Sequence, residues 1–186
     1  RLEQMARLCE DVAPVSWSEH LAFVRGGGIE IGHLAAPPRT SATIDGAIAN
    51  LRRARAIVGV APQVENVATL IDPPGSDRNE ATWVSEIIRY SKSDLLLDLH
   101  NLHANSQNFK FDPVDYIASI PTDRIGAVHL AGGKWIGRPE APRLLDDHLH
   151  DVPDPVYQLL EEVGARALKP LTVIIERDGN FPPIEW

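Results

Sequence analysis

His20, Glu65, Asp98, His129 and Glu176 are metal-binding residue types, and each closes a stretch that reads as a β-strand. The stretches are Val15–His20, Gln63–Glu65, Leu95–Asp98, Ala127–His129 and Val173–Glu176. A charged group directly after an apolar strand is costly to hold unless it is paired or ligating. One such residue marks a loop boundary; a succession of them points to one shared site. Asp146-x-His148 adds a second unit, because residues two apart on an extended segment face the same side and can meet one ion. His100, two positions beyond Asp98, shares its direction and counts as a further ligand, whereas His103 is expected to line the pocket. No cysteine belongs to the set, which excludes zinc-finger and iron–sulfur chemistry. Mixed carboxylate and imidazole donors suit iron, manganese, cobalt or zinc, and this many donors imply two or more ions.

Stepping from chemistry to scaffold, helical segments lie between these strands. Ile44, Ile48, Leu51 and Ile57 share a helical face that stops at Gly59, and Trp83, Val84, Ile87 and Ile88 form another. Asp112-Pro113 and Asp154-Pro155 start two more helices. Strand–helix alternation predicts an α/β parallel sheet, which delivers every strand end to one rim. An eight-stranded barrel typically takes about 200–250 residues or more. This single domain of 186 residues, with five such strands, therefore predicts either an open sheet or the later part of a barrel whose first strands are missing. Arg25–Thr40 reads as an irregular excursion, Lys134–Pro153 as a polar loop. Cys9 falls on one stripe with Leu2, Met5 and Val12 and is expected to be a buried small hydrophobe.

A net charge of −8 argues against a nucleic-acid partner, which requires a basic face. No apolar run approaches the roughly 20 residues of a membrane span. A single cysteine cannot form an internal disulfide and suits a reducing cytoplasm. There is no Gly-x-Ser-x-Gly elbow, and Arg25-Gly26-Gly27-Gly28 lacks the strand–turn–helix context of a dinucleotide site.

Six motifs occur in a fixed order: Ser18-Glu19-His20-Leu21; Glu65-Asn66; Leu95-Leu96-Leu97-Asp98-Leu99-His100-Asn101; His129-Leu130-Ala131-Gly132; Asp146-x-His148 followed by Val152-Pro153-Asp154; and Ile175-Glu176-Arg177-Asp178. As an ordered set spanning Arg1 to Trp186, the chain resembles the multinuclear non-heme iron-dependent oxidative enzymes, the methanobactin-maturation type. The resemblance implies a (β/α)8 TIM barrel of the xylose-isomerase-like kind, here incomplete and truncated at its N-terminal side. It implies two or three iron ions held by His20, Glu65, Asp98, His129, Asp146, His148 and Glu176, with His100, Asn101 and Asn66 completing or orienting the site. It further implies dioxygen-dependent modification of a precursor peptide, often at cysteine, with a partner protein presenting the peptide. Departures from the family pattern are Glu19 for aspartate, Leu99-His100 for valine–asparagine, and Gly133 where some relatives carry a second histidine. Alternatives on the same barrel are a manganese- or zinc-dependent sugar isomerase or phosphodiesterase, or an inactive binding fragment.

Overall fold

The computed structural model describes residues 1–183. Five parallel strands make the central sheet, in the order β1 (Ser18–His20), β4 (Gln63–Glu65), β5 (Leu95–Asp98), β6 (Ile125–Leu130), β9 (Thr172–Ile175). The sequence order runs monotonically across the sheet, as in successive units of a barrel, and the whole is an arc whose edge strands are β1 and β9. Helices α1 (Leu2–Val12), α2 (Ser41–Val58), α3 (Glu80–Ser91), α4 (Leu99–Phe109), α5 (Pro113–Ser119) and α6 (Asp154–Arg166) accompany it. Two antiparallel hairpins complete the fold: β2 (Phe23–Gly26) with β3 (Ile29–Ala35), and β7 (Gly133–Arg138) with β8 (Ala141–Asp146).

Local chemistry explains the boundaries. Thr40 and Thr43 form a reciprocal capping box at the start of α2, and Gly59 ends that helix at φ 88°, a left-handed value that glycine adopts without strain. Asn79 accepts from the Thr82 amide to cap α3, and Asp112 accepts from the Val114 amide to cap α5, with Pro113 in its first turn. The core lies between the middle strands and α2–α6. Ile87, Ile88, Leu95, Leu97, Leu99, Ile117 and Val128 are all fully buried there. Leu95–Leu97 is covered on both faces, as a continuous apolar run in a parallel sheet should be. Burial falls off at the edges: Val173, Ile174 and Ile175 of β9 are exposed, an open apolar edge of the incomplete barrel.

Four features differ from expectation. The first strand begins at Ser18, and Val15 is fully exposed. The excursion after it is the β2–β3 hairpin; every residue of β2 is exposed, so no apolar alternation marks it. The supposed polar loop is mostly the β7–β8 hairpin, turned by Pro139-Glu140. Cys9 is only half-buried, because α1 buries none of its residues. No helix among the described residues is long and apolar enough to cross a membrane.

Candidate metal centre

Strand register brings the site together. His20 pairs with Glu65, and Glu65 with Leu96, two residues before Asp98. Asp98 pairs with His129, and His129 with Ile174, two residues before Glu176. Neighbours in register, and residues two apart on one strand, share a face. His20, Glu65, Asp98, His129 and Glu176 therefore all project to the same side at the C-terminal ends of the strands. One ligand atom from each of Glu65, Asp98, His129 and Glu176 lies within 4.8 Å of the other three. His20 Nε2 stands 3.4 Å from Glu65 Oε2.

A second group adjoins the first. His148 Nε2 is 3.0 Å from Asp146 Oδ2, and its Nδ1 is 3.5 Å from Glu176 Oε2. That same Glu176 oxygen is 3.3 Å from His129 Nδ1, so one carboxylate faces both groups. Asp146 ends β8, while His148 takes a left-handed backbone (φ 54°) that turns its ring back toward Asp146. The structure thus joins Asp146 and His148 through a bend rather than a continuous strand.

Asp98 caps the helix that follows it without any loop. Its Oδ1 accepts from the Asn101 amide at 2.6 Å, leaving Oδ2 buried with no partner. The Asn66 side chain reads the backbone of Asp98 in both directions, accepting from its amide and donating to its carbonyl, each at 2.9 Å. Asn101 donates in turn to the Asn66 carbonyl. The two asparagines thus fix where Asp98 stands. Sequence reasoning overlooked α4 and the rest of this amide stripe: Asn105 donates to the Val67 carbonyl and accepts from the Thr69 amide, and Asn108 donates to the Thr69 carbonyl. The signal was present as asparagine at 101, 105 and 108, one helical face. Asp178 was also passed over, although its Oδ2 lies 3.6 Å from His148 Nδ1.

Three further histidines, His100, His103 and His150, stand behind or beside the cluster. His100 is fully buried and its Nδ1 donates to Asp146 Oδ1 at 2.6 Å. His103 lies 6.3 Å from the His100 ring, tilted against it. His150 donates through Nδ1 to Asp147 Oδ1, and Lys134 approaches the same carboxylate. A cavity of about 840 Å3 opens beside β1 and meets the cluster at His20; Trp17, Phe23, Leu51 and Trp83 help to line it.

The electrostatics are those of a site short of positive charge. Burial pushes the Asp98 carboxyl up to about 8, helped by the negative charges of Asp146 and Glu65. The hydrogen bond to Asp146 raises His148 to about 9. Burial works against the His129 cation, but Glu65 and Glu176 outweigh it and hold the group above its usual value. Asp146 is half-buried, which works against its charge, yet His100 and His148 pull it below the ordinary range.

A metal fits these residues. Ligand atoms about 2.1 Å from one ion lie roughly 3.0 Å apart at a right angle and about 3.4 Å apart at a tetrahedral angle. The separations of Glu65 Oε1 and Glu176 Oε2 from His129 Nδ1, 3.2 and 3.3 Å, fall inside that range. Despite those approaches, His129 Nδ1 makes no aligned hydrogen bond, and it is buried along with the orphaned Asp98 Oδ2. Buried polar atoms without partners are rare and call for an explanation. A cation bound between them would supply it.

Comparison with known proteins agrees. The family model described as RiPP precursor modification enzyme MbnB/TglH/ChrH matches residues 1–186. An UPF0276 protein of Streptomyces avermitilis is 36% identical over 98% of this chain, and one of Rhizorhabdus wittichii is 33% identical over 98%. The chain spans 38% and 64% of those two proteins, respectively. A xylose isomerase domain containing protein from Salmonella typhimurium superposes with a TM-score of 0.54 at 17% identity, over 94% of this chain and 58% of that one. That likeness establishes a xylose-isomerase-like barrel fold, of which five strands are present here.

Proposed function

The chain belongs to the RiPP precursor modification enzyme family MbnB/TglH/ChrH, and on that premise we propose that it is an iron-dependent oxidative enzyme acting on a residue, often cysteine, of a ribosomally made precursor peptide. The observation that carries the proposal is the convergence of Glu65, Asp98, His129 and Glu176 at the strand ends, with Asp98 Oδ2 and His129 Nδ1 buried and unpartnered.

In this reading His20, Glu65, Asp98, His129 and Glu176 would hold iron at one position, and Asp146 and His148 would hold it at the adjoining one. Asn66 and Asn101 keep Asp98 in place. Iron bound there would supply electrons to dioxygen and a Lewis-acid seat lowering the pKa of a substrate thiol. The protein supplies placement. Its carboxylates balance the charge of the ions, and Asp98 and His129 present their groups from buried positions at the strand ends. The peptide approaches from the open rim, between the two hairpins, presented by a partner protein or recognition domain. We place this chemistry in the cytoplasm, where the lone cysteine and the substrate thiol remain reduced.

The test is anaerobic reconstitution with ferrous iron, followed by addition of oxygen and a cysteine-containing precursor peptide encoded beside the gene. Two or three irons per chain, oxygen uptake and a mass change of the peptide are expected. Asp98→Ala and His129→Ala should each lose most of the bound iron with little change in far-ultraviolet circular dichroism. Turnover of a sugar or phosphodiester with manganese or zinc, and none of the peptide with iron, would overturn the proposal.

A further inference from the structure

His100 sits at the junction of three elements. It is the second residue of α4, it is fully buried, and its ring lies over the base of the β7–β8 hairpin. There Gly133 and Asp146 are directly opposite each other in the antiparallel ladder. The ring contacts both members of that pair. Its Nδ1–H donates to Asp146 Oδ1 at 2.6 Å. Its other edge lies where a side chain at position 133 would be: a Cβ built on Gly133 would stand 2.1 Å from the Leu145 carbonyl oxygen, 2.5 Å from His100 Cε1 and 2.9 Å from Nε2. The hairpin backbone and the His100 ring together leave room only for glycine at 133, and the imidazole packs against it.

The consequence is directional. A carboxylate has two oxygens, and holding one fixes where the other points. With Oδ1 engaged by His100, Asp146 turns Oδ2 toward His148 Nε2, 3.0 Å away. His100 itself stays out of the tight group of four donors. One nitrogen is committed to Asp146 and the other faces the Gly133 backbone with no hydrogen-bond partner among the described residues. We propose that His100 is a positioning residue, which orients Asp146 as a ligand of the second ion through an Nδ1–H···Oδ1 hydrogen bond and binds no metal itself. This inference rests on the metal reading of the site given above. Partners behind a metal ligand typically change metal affinity or activity by about 10- to 100-fold when removed.

Manganese titration of the full chain, followed by electron paramagnetic resonance, tests it with His100→Leu and His100→Asn. An asparagine amide occupies the position of the imidazole Nδ1 but cannot reach that of Nε2. His100→Leu should weaken the second manganese about 10- to 100-fold and leave the first unchanged, and His100→Asn should restore most of the loss. In the metal-free protein, nitrogen-15 imidazole spectra should show His100 as the Nδ1–H tautomer, a signature that shifts in Asp146→Ala. Equal and complete loss of one ion in both variants would make His100 a ligand through Nε2 and overturn the proposal. So would unchanged affinities in both, which would reduce the residue to packing. A wild-type chain that binds no manganese at all would instead remove the metal reading, a failure visible before any variant is made.

Discussion

Metal loading should expel protons, and the structure sets how many. A liganding carboxyl or imidazole must give up its proton to the ion. With Asp98 raised to about 8 by burial and His148 to about 9 by Asp146, both are largely protonated in the metal-free chain at neutral pH. At pH 7 the fractions are about nine-tenths and ninety-nine hundredths, so filling both positions releases roughly 1.9 protons. His129, also held above its ordinary value, adds to this count as the pH falls. At pH 9.5 the same two groups release only about 0.3 proton. Apparent affinity should therefore rise steeply with pH up to about 8 and flatten above 9. Manganese calorimetry in two buffers of different ionisation enthalpy measures the release directly. In Asp98→Asn the release that accompanies metal bound at His148 should fall to about one proton. Saturation at pH 7 with less than about one proton released, or a release that does not shrink by pH 9.5, would refute the reasoning.

Other consequences are simpler. Ile87 of α3 is fully buried, and Ile87→Ala should cost about 2–5 kcal/mol in chemical denaturation. A Cβ at Gly132 would collide with the backbone carbonyls of His150 and Asp151, so Gly132→Ala should lower the melting temperature strongly. Gly164 in α6 has open space around it, so Gly164→Ala should raise stability by about 0.5–1 kcal/mol. Glu80 lies beside Arg39 and Asn105, and burial raises its carboxyl from 4.5 to about 7. The folded chain keeps that proton longer than the unfolded one. Its contribution is complete below pH 4.5 and is lost as pH rises through 7, roughly 3 kcal/mol in all. Unfolding curves of Glu80→Gln from pH 4.5 to 8 should lack that decline; an identical slope in both proteins would dismiss the assignment.

The strands that carry the site were readable because each combines an apolar core-facing run with an abrupt polar end. Leu95-Leu96-Leu97-Asp98 could hardly be anything but a buried strand meeting a site. Helix α4 escaped notice for the opposite reason. It buries His100, Asn101, Asn105, Ser106 and Asn108 beside its apolar residues, so hydrophobic periodicity is diluted. The β2–β3 hairpin hides because it buries almost nothing, and β7–β8 because Leu144 is its only fully buried residue. The Asp146–His148 pairing was legible as spacing, but the left-handed turn at His148 that achieves it was not. His100 shows the same limit: residue type nominated it, while only the tertiary neighbours, Gly133 and Asp146, reveal what its two nitrogens face.

The amide stripe of α4 has a practical corollary. Asn101, Asn105 and Asn108 grip residues 66–69 through contacts that call for no cation. In a zinc finger the ion is the folding energy, and a chelator unravels the chain. Here a chelator should strip a shape that survives it. One preparation could then be emptied and refilled with iron, manganese, cobalt or zinc in turn, so that differences among them report the chemistry of each element rather than the history of refolding.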